Sequence, residues 1–389
     1  MALTLKQEQG LKIAVERYKS HEKYTCISGY AGSGKSYLIS HIVEALNLNE
    51  DEVAYVAYTG KAAQVLREHG CRTATTAHKL LYKTVPRGRN GQFIHIPKPQ
   101  LDENYKLIVV DEVSMLPNEM WSLLLSHNIY VIATGDPAQL PPVSDDYNHV
   151  LDNPHIFLDE IMRQAKENEI IRFSMDIREQ KPLSLYRGDT VRIVTSQELE
   201  NPGIYLWADQ IIVGKNKTKD NINNKVRYML HDQLTEYPMN GDKIICLKNN
   251  WSRATESGDA LVNGLTGIMH NINTFKEDFN DTYTEDYFYA DFCIDENNSF
   301  EDLKMDGMIF KANRPSKNKR NPNRWIPKDY IPEQFDYGYA ITCHKAQGAQ
   351  FNNVLVLEEY LKNDTKEEHA RWLYTAATRA IDKLIIVKN

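Results

Sequence analysis

The chain has 389 residues, 42% hydrophobic and 25% charged, the balance of a soluble globular protein with room for roughly two to three domains. A net charge of −7 excludes a global basic field, so any nucleic acid must be met by local patches. The cysteines at 26, 71, 246, 293 and 343 are scattered without a C-x-x-C pair, and no 18-residue apolar run or signal-like N-terminal core occurs, so reduced thiols, no zinc knuckle, no membrane partner and a cytoplasmic location are expected.

In chain order, residues 4–19 read as an amphipathic helix with Leu11, Ala14, Val15 and Tyr18 on one face. Thr4 and Gln7 have the spacing of a capping box, which accounts for the glutamine by itself. A glutamine just ahead of a phosphate loop can instead read an adenine edge through its amide. The β-prone run YTCIS then enters GYAGSGKS, which fits G-x-x-x-x-G-K-[ST] at Gly29, Gly34, Lys35 and Ser36, and SYLISHIVEAL behind it has helical period. In that setting Gly29, Gly32, Ser33 and Gly34 turn backbone N–H groups into one concavity for phosphate oxygens. Lys35 is expected to reach the β- and γ-phosphates, and Ser36 to take a Mg²⁺ position. The pattern implies a nucleoside triphosphate. It does not say what hydrolysis drives.

EVAYVAY reads as a strand and GKAAQVLREHG as a helix closed by glycine. YKLIVV is a strand ending in Asp111-Glu112, and IYVIATGD is another. Their nearly continuous apolar runs suit strands buried on both faces of a parallel sheet, so residues 1–155 read as one doubly wound α/β core. An acidic pair after a strand can be a surface turn. Where strand ends converge on one crevice, Asp111 can instead hold Mg²⁺ through water and Glu112 can orient or deprotonate an attacking water. Within this core, about 83–100, KTVPRGRNGQFIHIPKP carries a hairpin signal at Asn90-Gly91, with Phe93 just past the turn.

Strand-then-helix patterning restarts near 210 with QIIVGKN and DNINNKVRYML, and NVLVLEEY and KLIIVKN are buried-type strands near 354–389. Residues 156–234 and 336–389 therefore read as a second α/β core, split by a β-rich insertion at 235–335 with turns at Asn240-Gly241 and Asn263-Gly264. Charge is segregated in the insertion: 277–306 holds eleven acidic side chains against one lysine, and 311–328 holds seven basic ones and no acid. That basic run is either a solvated loop or a phosphate-contacting surface with Trp325 for stacking.

Together LTLKQEQ, GYAGSGKS, AYTGKAAQVL, TTAHKLL, VVDEVSM, TGDPAQLPPV, ITCHKAQGAQF and LYTAATRA resemble the ordered motifs of superfamily 1 DNA helicases. The chain is most similar to the RecD-like, Pif-like and phage Dda-like group, whose members move 5′→3′. The resemblance implies two RecA-like cores of the P-loop kind, ATP and Mg²⁺ as cofactors, and translocation on single-stranded DNA with separation of duplex at a fork. By position it implies that Gln7 contacts adenine, that Gln139 senses the γ-phosphate, and that Arg163 and Arg379 are arginine fingers. Strand-binding positions fall at Thr59, His78, Thr342 and His344, although a lone histidine such as His78 can equally be a core residue. The basic hairpin is then either a surface ornament or a wedge whose Phe93 stacks on a base at the fork. Tyr58 replaces the family's usual proline, Ala77 its isoleucine, and Ala349 and Gln350 its serine and glutamate, but none of these removes a catalytic charge. The expected species is a monomer, in bacterial cytoplasm or in a host's if phage-encoded, with single-stranded-DNA-binding, replication or recombination proteins as candidate partners. The competing readings are a nucleotide kinase or GTPase, and a DNA-stimulated ATPase subunit without autonomous unwinding.

Overall fold

The computed structural model describes residues 3–87, 92–141, 148–162, 165, 167–235, 237–255, 260–274, 287–295, 298–310, 332–361 and 364–388. Arg163, the Asn90-Gly91 turn, the acidic stretch 275–286 and the basic stretch 311–331 with Trp325 lie outside them. No described helix is long and apolar enough to cross a membrane.

The chain divides into two compact units, one of Met1–Tyr82, Pro97–Asn216 and Ile341–Asn389, the other of Lys83–Ile96 and Lys217–Ala340. The first unit holds two six-stranded sheets. In one, the strands lie in the order Thr75–Thr76, Val53–Ala57, Leu107–Val110, Tyr130–Gly135, Tyr24–Gly29 and Ile156–Leu158. All its pairings are parallel. Leu107 and Val109 pack with Ile27, Leu38 and Ile42 on one face, while Ile108 and Val110 pack with Val56, Trp121 and Leu124 on the other. That alternation is why every residue of Leu107–Val110 is apolar: a strand with helices on both faces has no solvent side.

The second sheet runs Ala340–Thr342, Gln210–Val213, Phe351–Leu357, Ala380–Lys388, Val191–Thr195 and Tyr186–Arg187. Gln210–Val213, Phe351–Leu357, Ala380–Lys388 and Val191–Thr195 pair in parallel, and Tyr186–Arg187 closes one edge antiparallel. Beside it the helix Lys366–Ala377 starts with a capping box, in which Thr365 and Glu368 satisfy each other's backbone N–H groups. Its inward face, Trp372, Leu373, Tyr374, Ala376 and Ala377, is buried.

The second unit is built on an antiparallel sheet ordered Asn298–Asp306, Tyr287–Asp295, Thr266–Thr274, Lys243–Cys246 and Phe335–Tyr337. Phe288, Phe292, Phe300 and Phe335 form its core. The strands Tyr82–Arg87 and Gln92–Pro97 pair as a separate two-stranded ribbon. Strand and turn patterning in the sequence puts the insertion's edges near 235 and 335, and the compact units divide at 216 and 340. The cause is polar and long-range. Arg227, on the helix Asn216–His231, donates to the fully buried Asp242 at 3.1 Å, and Asn223 of the same helix exchanges hydrogen bonds with Ala340 at 2.7 and 3.1 Å. Breaking a buried ion pair of this kind by removing one partner costs about 3–5 kcal/mol, so the helix is tied to the β-rich unit.

Candidate active site

The strand Tyr24–Gly29 delivers the chain into the phosphate loop, and the helix Lys35–Ala45 carries it out. Gly34 is the helix N-cap at φ +81°, and a Cβ there would lie 2.3 Å from Met162 Sδ and 2.5 Å from Gln7 Nε2. Only glycine fits that conformation and that approach. A Cβ on Gly29 would sit 2.6 Å from Ser33 Oγ. The Lys35 ammonium donates to the carbonyls of Gly29 and Tyr30 at 2.7 and 3.1 Å. Ser36 is exposed in the first turn of the helix. The Gln7 side chain completes the expected capping box with Thr4, and its buried amide donates to Ser33 O and Gly34 O at 3.3 and 3.4 Å.

The acidic pair ends the strand Leu107–Val110 in the same sheet. Asp111 accepts from Thr134 Oγ1 at 2.9 Å. Glu112 is held at φ +51°, a left-handed conformation that costs a non-glycine residue roughly 1–3 kcal/mol. Burial pushes its carboxyl up to about 7; Asp111 and Asp136 add to the rise, and Arg379 and Lys35 oppose it. Gln139 donates its backbone N–H to Asp136 O at 3.3 Å. Its side-chain oxygen is buried without a hydrogen-bond partner among the described residues.

Arg379 comes from the end of the helix Lys366–Ala377 and is 5% exposed. Its guanidinium donates to Thr375 O at 3.0 Å, and to Ala349 O and Thr378 Oγ1 at 3.3 Å each. It makes no ion pair among the described residues. Three further residues join this end of the helix and the "CHKAQG" turn to the first sheet. The Tyr374 hydroxyl donates to Asp136 Oδ2 at 2.6 Å and accepts the Ala31 N–H at 2.9 Å. Thr375 Oγ1 accepts the Leu140 N–H at 2.8 Å, and Gln347 donates to Leu140 O at 2.7 Å. The motifs that contain these residues point to Gln139, Thr342, His344 and Arg379 and leave Tyr374, Thr375 and Gln347 unmarked. The signal available was position alone.

Of the strand-binding expectations, Thr59 caps the helix Gly60–Glu68 by accepting the Ala62 N–H at 3.2 Å. A Cβ on Gly348 would lie 3.7 Å from Thr59 Oγ1, so the AYTGKAA and CHKAQG turns are neighbours. Thr342 precedes the short helix Cys343–Ala346 without capping it through its side chain. Burial pushes the His344 imidazole below its ordinary value, so at neutral pH it offers a hydrogen bond and no charge. His78 stacks on Tyr82, ring centroids 4.4 Å apart. Phe93 belongs to the strand Gln92–Pro97, but its side chain, like all of Arg163, lies outside what is described.

A cavity of about 440 Å³ lies against the loop, lined by Ser28, Tyr30, Pro137, Arg178, Arg371 and Tyr374 among others. None of Lys35, Ser36, Asp111 or Glu112 lines it, so it is not the groove those four residues define. Among the described residues no group of three His, Cys, Asp or Glu side chains could hold a metal. The residues do fit a nucleotide that brings its own oxygens. Among the described residues an ammonium rests on carbonyls, a guanidinium is buried without an ion pair, and an amide oxygen is buried without a donor.

Residues 4–195 match the sequence profile of an AAA domain, and residues 337–387 that of a UvrD-like helicase C-terminal domain. An uncharacterized protein of Acanthamoeba polyphaga mimivirus is 25% identical over 92% of this chain and 93% of its own length. The ATP-dependent RecD2 DNA helicase of Deinococcus radiodurans is 36% identical over 38% of the chain, and the ATP-dependent DNA helicase dda of Enterobacteria phage T4 is 28% identical over 45%. The matched regions span 20% and 40% of those two helicases' lengths. A crystal structure of Pif1 helicase from Bacteroides, at 16% identity, aligns with 100% of this chain and 92% of its own with a TM-score of 0.49. The chain is thus similar to an AAA domain over 4–195 and to a UvrD-like helicase C-terminal domain over 337–387, and ATP-dependent DNA helicases are among its relatives.

Proposed function

We propose that the chain is an ATP-dependent DNA helicase that steps 5′→3′ along single-stranded DNA and separates duplex at a fork. The observation that supports this most is Arg379. Among the described residues its guanidinium, 5% exposed, hydrogen-bonds only to carbonyls and a hydroxyl, with the Glu112 carboxylate felt but not paired, and an arriving anion would meet it. The γ-phosphate of ATP is that anion, and Arg379 and Lys35 stabilise the charge that develops as it leaves. Gln139 meets the γ-phosphate edge with its side-chain amide. Glu112 orients the attacking water and takes its proton. Gln7 holds the adenine edge, and Arg163 adds a second cation. Ser36 and Asp111 hold Mg²⁺, which when bound neutralises phosphate oxygens. Thr59, His78, Thr342 and His344 contact the DNA backbone without reading bases.

The two sheets of the first unit close on ATP and reopen after hydrolysis, passing the strand along their cleft. Phe93 at the hairpin is the wedge, since each opened step costs stacking of about 1.4 kcal/mol. The protein acts as a monomer in the cytoplasm and meets single-stranded-DNA-binding or replication and recombination proteins there. The test is unwinding of duplexes that carry a 5′ or a 3′ single-stranded tail. Opening from 5′ tails is expected, with Phe93→Ala opening fewer base pairs per ATP at an unchanged rate of hydrolysis. Opening from 3′ tails alone would overturn the direction, and no opening from either would leave an ATPase without unwinding.

A further inference from the structure

We propose that Tyr374 is a positioning residue for ATP hydrolysis: its single hydroxyl fixes the phosphate loop and the "GDPAQ" turn against the helix that presents Arg379. The proposal rests on the functional reading above and extends it to a residue outside the charged set.

The geometry is directional. A phenol has one proton. At 2.6 Å from Asp136 Oδ2 that proton is donated to the carboxylate, which leaves the oxygen lone pairs for the Ala31 N–H at 2.9 Å. Asp136 Oδ1 accepts the Ala138 N–H at 2.9 Å, and its carbonyl accepts the Gln139 N–H at 3.3 Å. One hydroxyl therefore links the loop residue before Gly32 to the turn that aims Gln139. The other end of the link is equally fixed. Tyr374 is 1% exposed, and Arg379 folds back on the same helix end through Thr375 O and Thr378 Oγ1. The distance from guanidinium to loop is set through Tyr374. Leu140, gripped by Thr375 and Gln347, braces the same turn from its other side. Packing alone asks only for an aromatic ring at 374. A hydroxyl with two partners from two different turns of the first sheet is what alignment of reacting groups asks for. Burial and the Asp136 carboxylate hold the phenol well above its ordinary range, so it stays a donor.

The test is Tyr374→Phe, which keeps the ring and removes the oxygen, measured on the full chain with saturating single-stranded DNA. Loss of a hydrogen bond to a charged group predicts kcat for ATP down about 10- to 100-fold. KM and the dissociation constant of a fluorescent ATP analogue are expected to stay within about twofold, because no ligand contact is removed. Asp136→Ala removes the acceptor and breaks the same link from its other end, so the double variant is expected to be no slower than the slower single. A Tyr374→Phe kcat within threefold of wild type overturns the proposal, as do losses that multiply in the double variant. So does a loss of kcat that comes with equal loss of nucleotide affinity and a lowered melting temperature, the mark of a packing role. Lys35→Ala is measured alongside: a wild-type chain no faster than Lys35→Ala overturns the ATPase reading itself, and this proposal with it.

Discussion

The two six-stranded sheets of the first unit use one structural device in two ways. In the first sheet the strand Tyr24–Gly29 runs into a glycine-rich turn and the helix Lys35–Ala45. In the second, Gln210–Val213 runs into Gly214-Lys215, ahead of the helix Asn216–His231. A strand-to-helix turn aims backbone N–H groups at one point and favours an anion there. The second turn has its own anion: Glu359 Oε2 accepts the N–H groups of Gly214 and Lys215 at 2.8 and 3.0 Å, with Lys215 Nζ 3.8 Å from the same carboxylate. At the first turn no carboxylate of the described residues accepts from the loop's amides, and Lys35 rests on two carbonyls. The same topology is thus closed by the chain in one sheet, and in the other it is the place the proposed function gives to a phosphate. On the proposed reading, the second sheet supplies the cation Arg379 to the nucleotide bound at the first turn.

The largest expected effect breaks the contribution of the second sheet. Arg379→Ala should bind nucleotide yet hydrolyse it about 10³–10⁵-fold more slowly, the range for arginine fingers in related phosphoryl transfers. Single-turnover hydrolysis with bound DNA measures it, and a loss below tenfold with an intact fold places Arg379 outside the transition state. Next comes the first turn itself. Lys35→Ala should lose about 10²–10³-fold in turnover, as when one preorganised donor is removed from developing charge. It should still bind single-stranded DNA, because other residues do that. Normal turnover in this variant would show that the loop does not grip the phosphates.

Much of this contrast was legible in the sequence, for reasons that are local. The apolar run Leu107–Val110 and the pattern at Gly29, Gly34, Lys35 and Ser36 are consequences of burial and of backbone geometry within a few residues. What was not legible is what pairs over long distances. Tyr374 and Asp136 are 238 residues apart in the chain, and nothing in the periodicity near either one announces the other. The left-handed Glu112 has no sequence mark either, since the strain is imposed by its surroundings. The helix at 216 carries an ordinary amphipathic pattern, and the long-range bonds of Arg227 to Asp242 and of Asn223 to Ala340 tie it to the β-rich unit. Gly214-Lys215 resembles a fragment of a phosphate loop until Glu359, 145 residues on, is seen capping it.

The smallest expected effect tests the second turn. Glu359→Ala removes the acceptor shared by two backbone N–H groups at a site where Glu359 is 7% exposed. An unsatisfied buried donor costs about 1–3 kcal/mol, and the lower end applies because Lys215 is exposed and water can replace part of the bond. About 1.4 kcal/mol corresponds to a tenfold change in a local opening equilibrium. The amides of Gly214 and Lys215 should therefore exchange with deuterium roughly tenfold faster in the variant. DNA-stimulated ATP turnover should stay within about twofold, because Glu359 already occupies the amides of this turn. If turnover falls tenfold or more while the two amides keep their protection, Glu359 acts on the reaction. The second turn is then part of the hydrolytic site, and the contrast between a turn closed by the chain and a turn completed by ATP is lost.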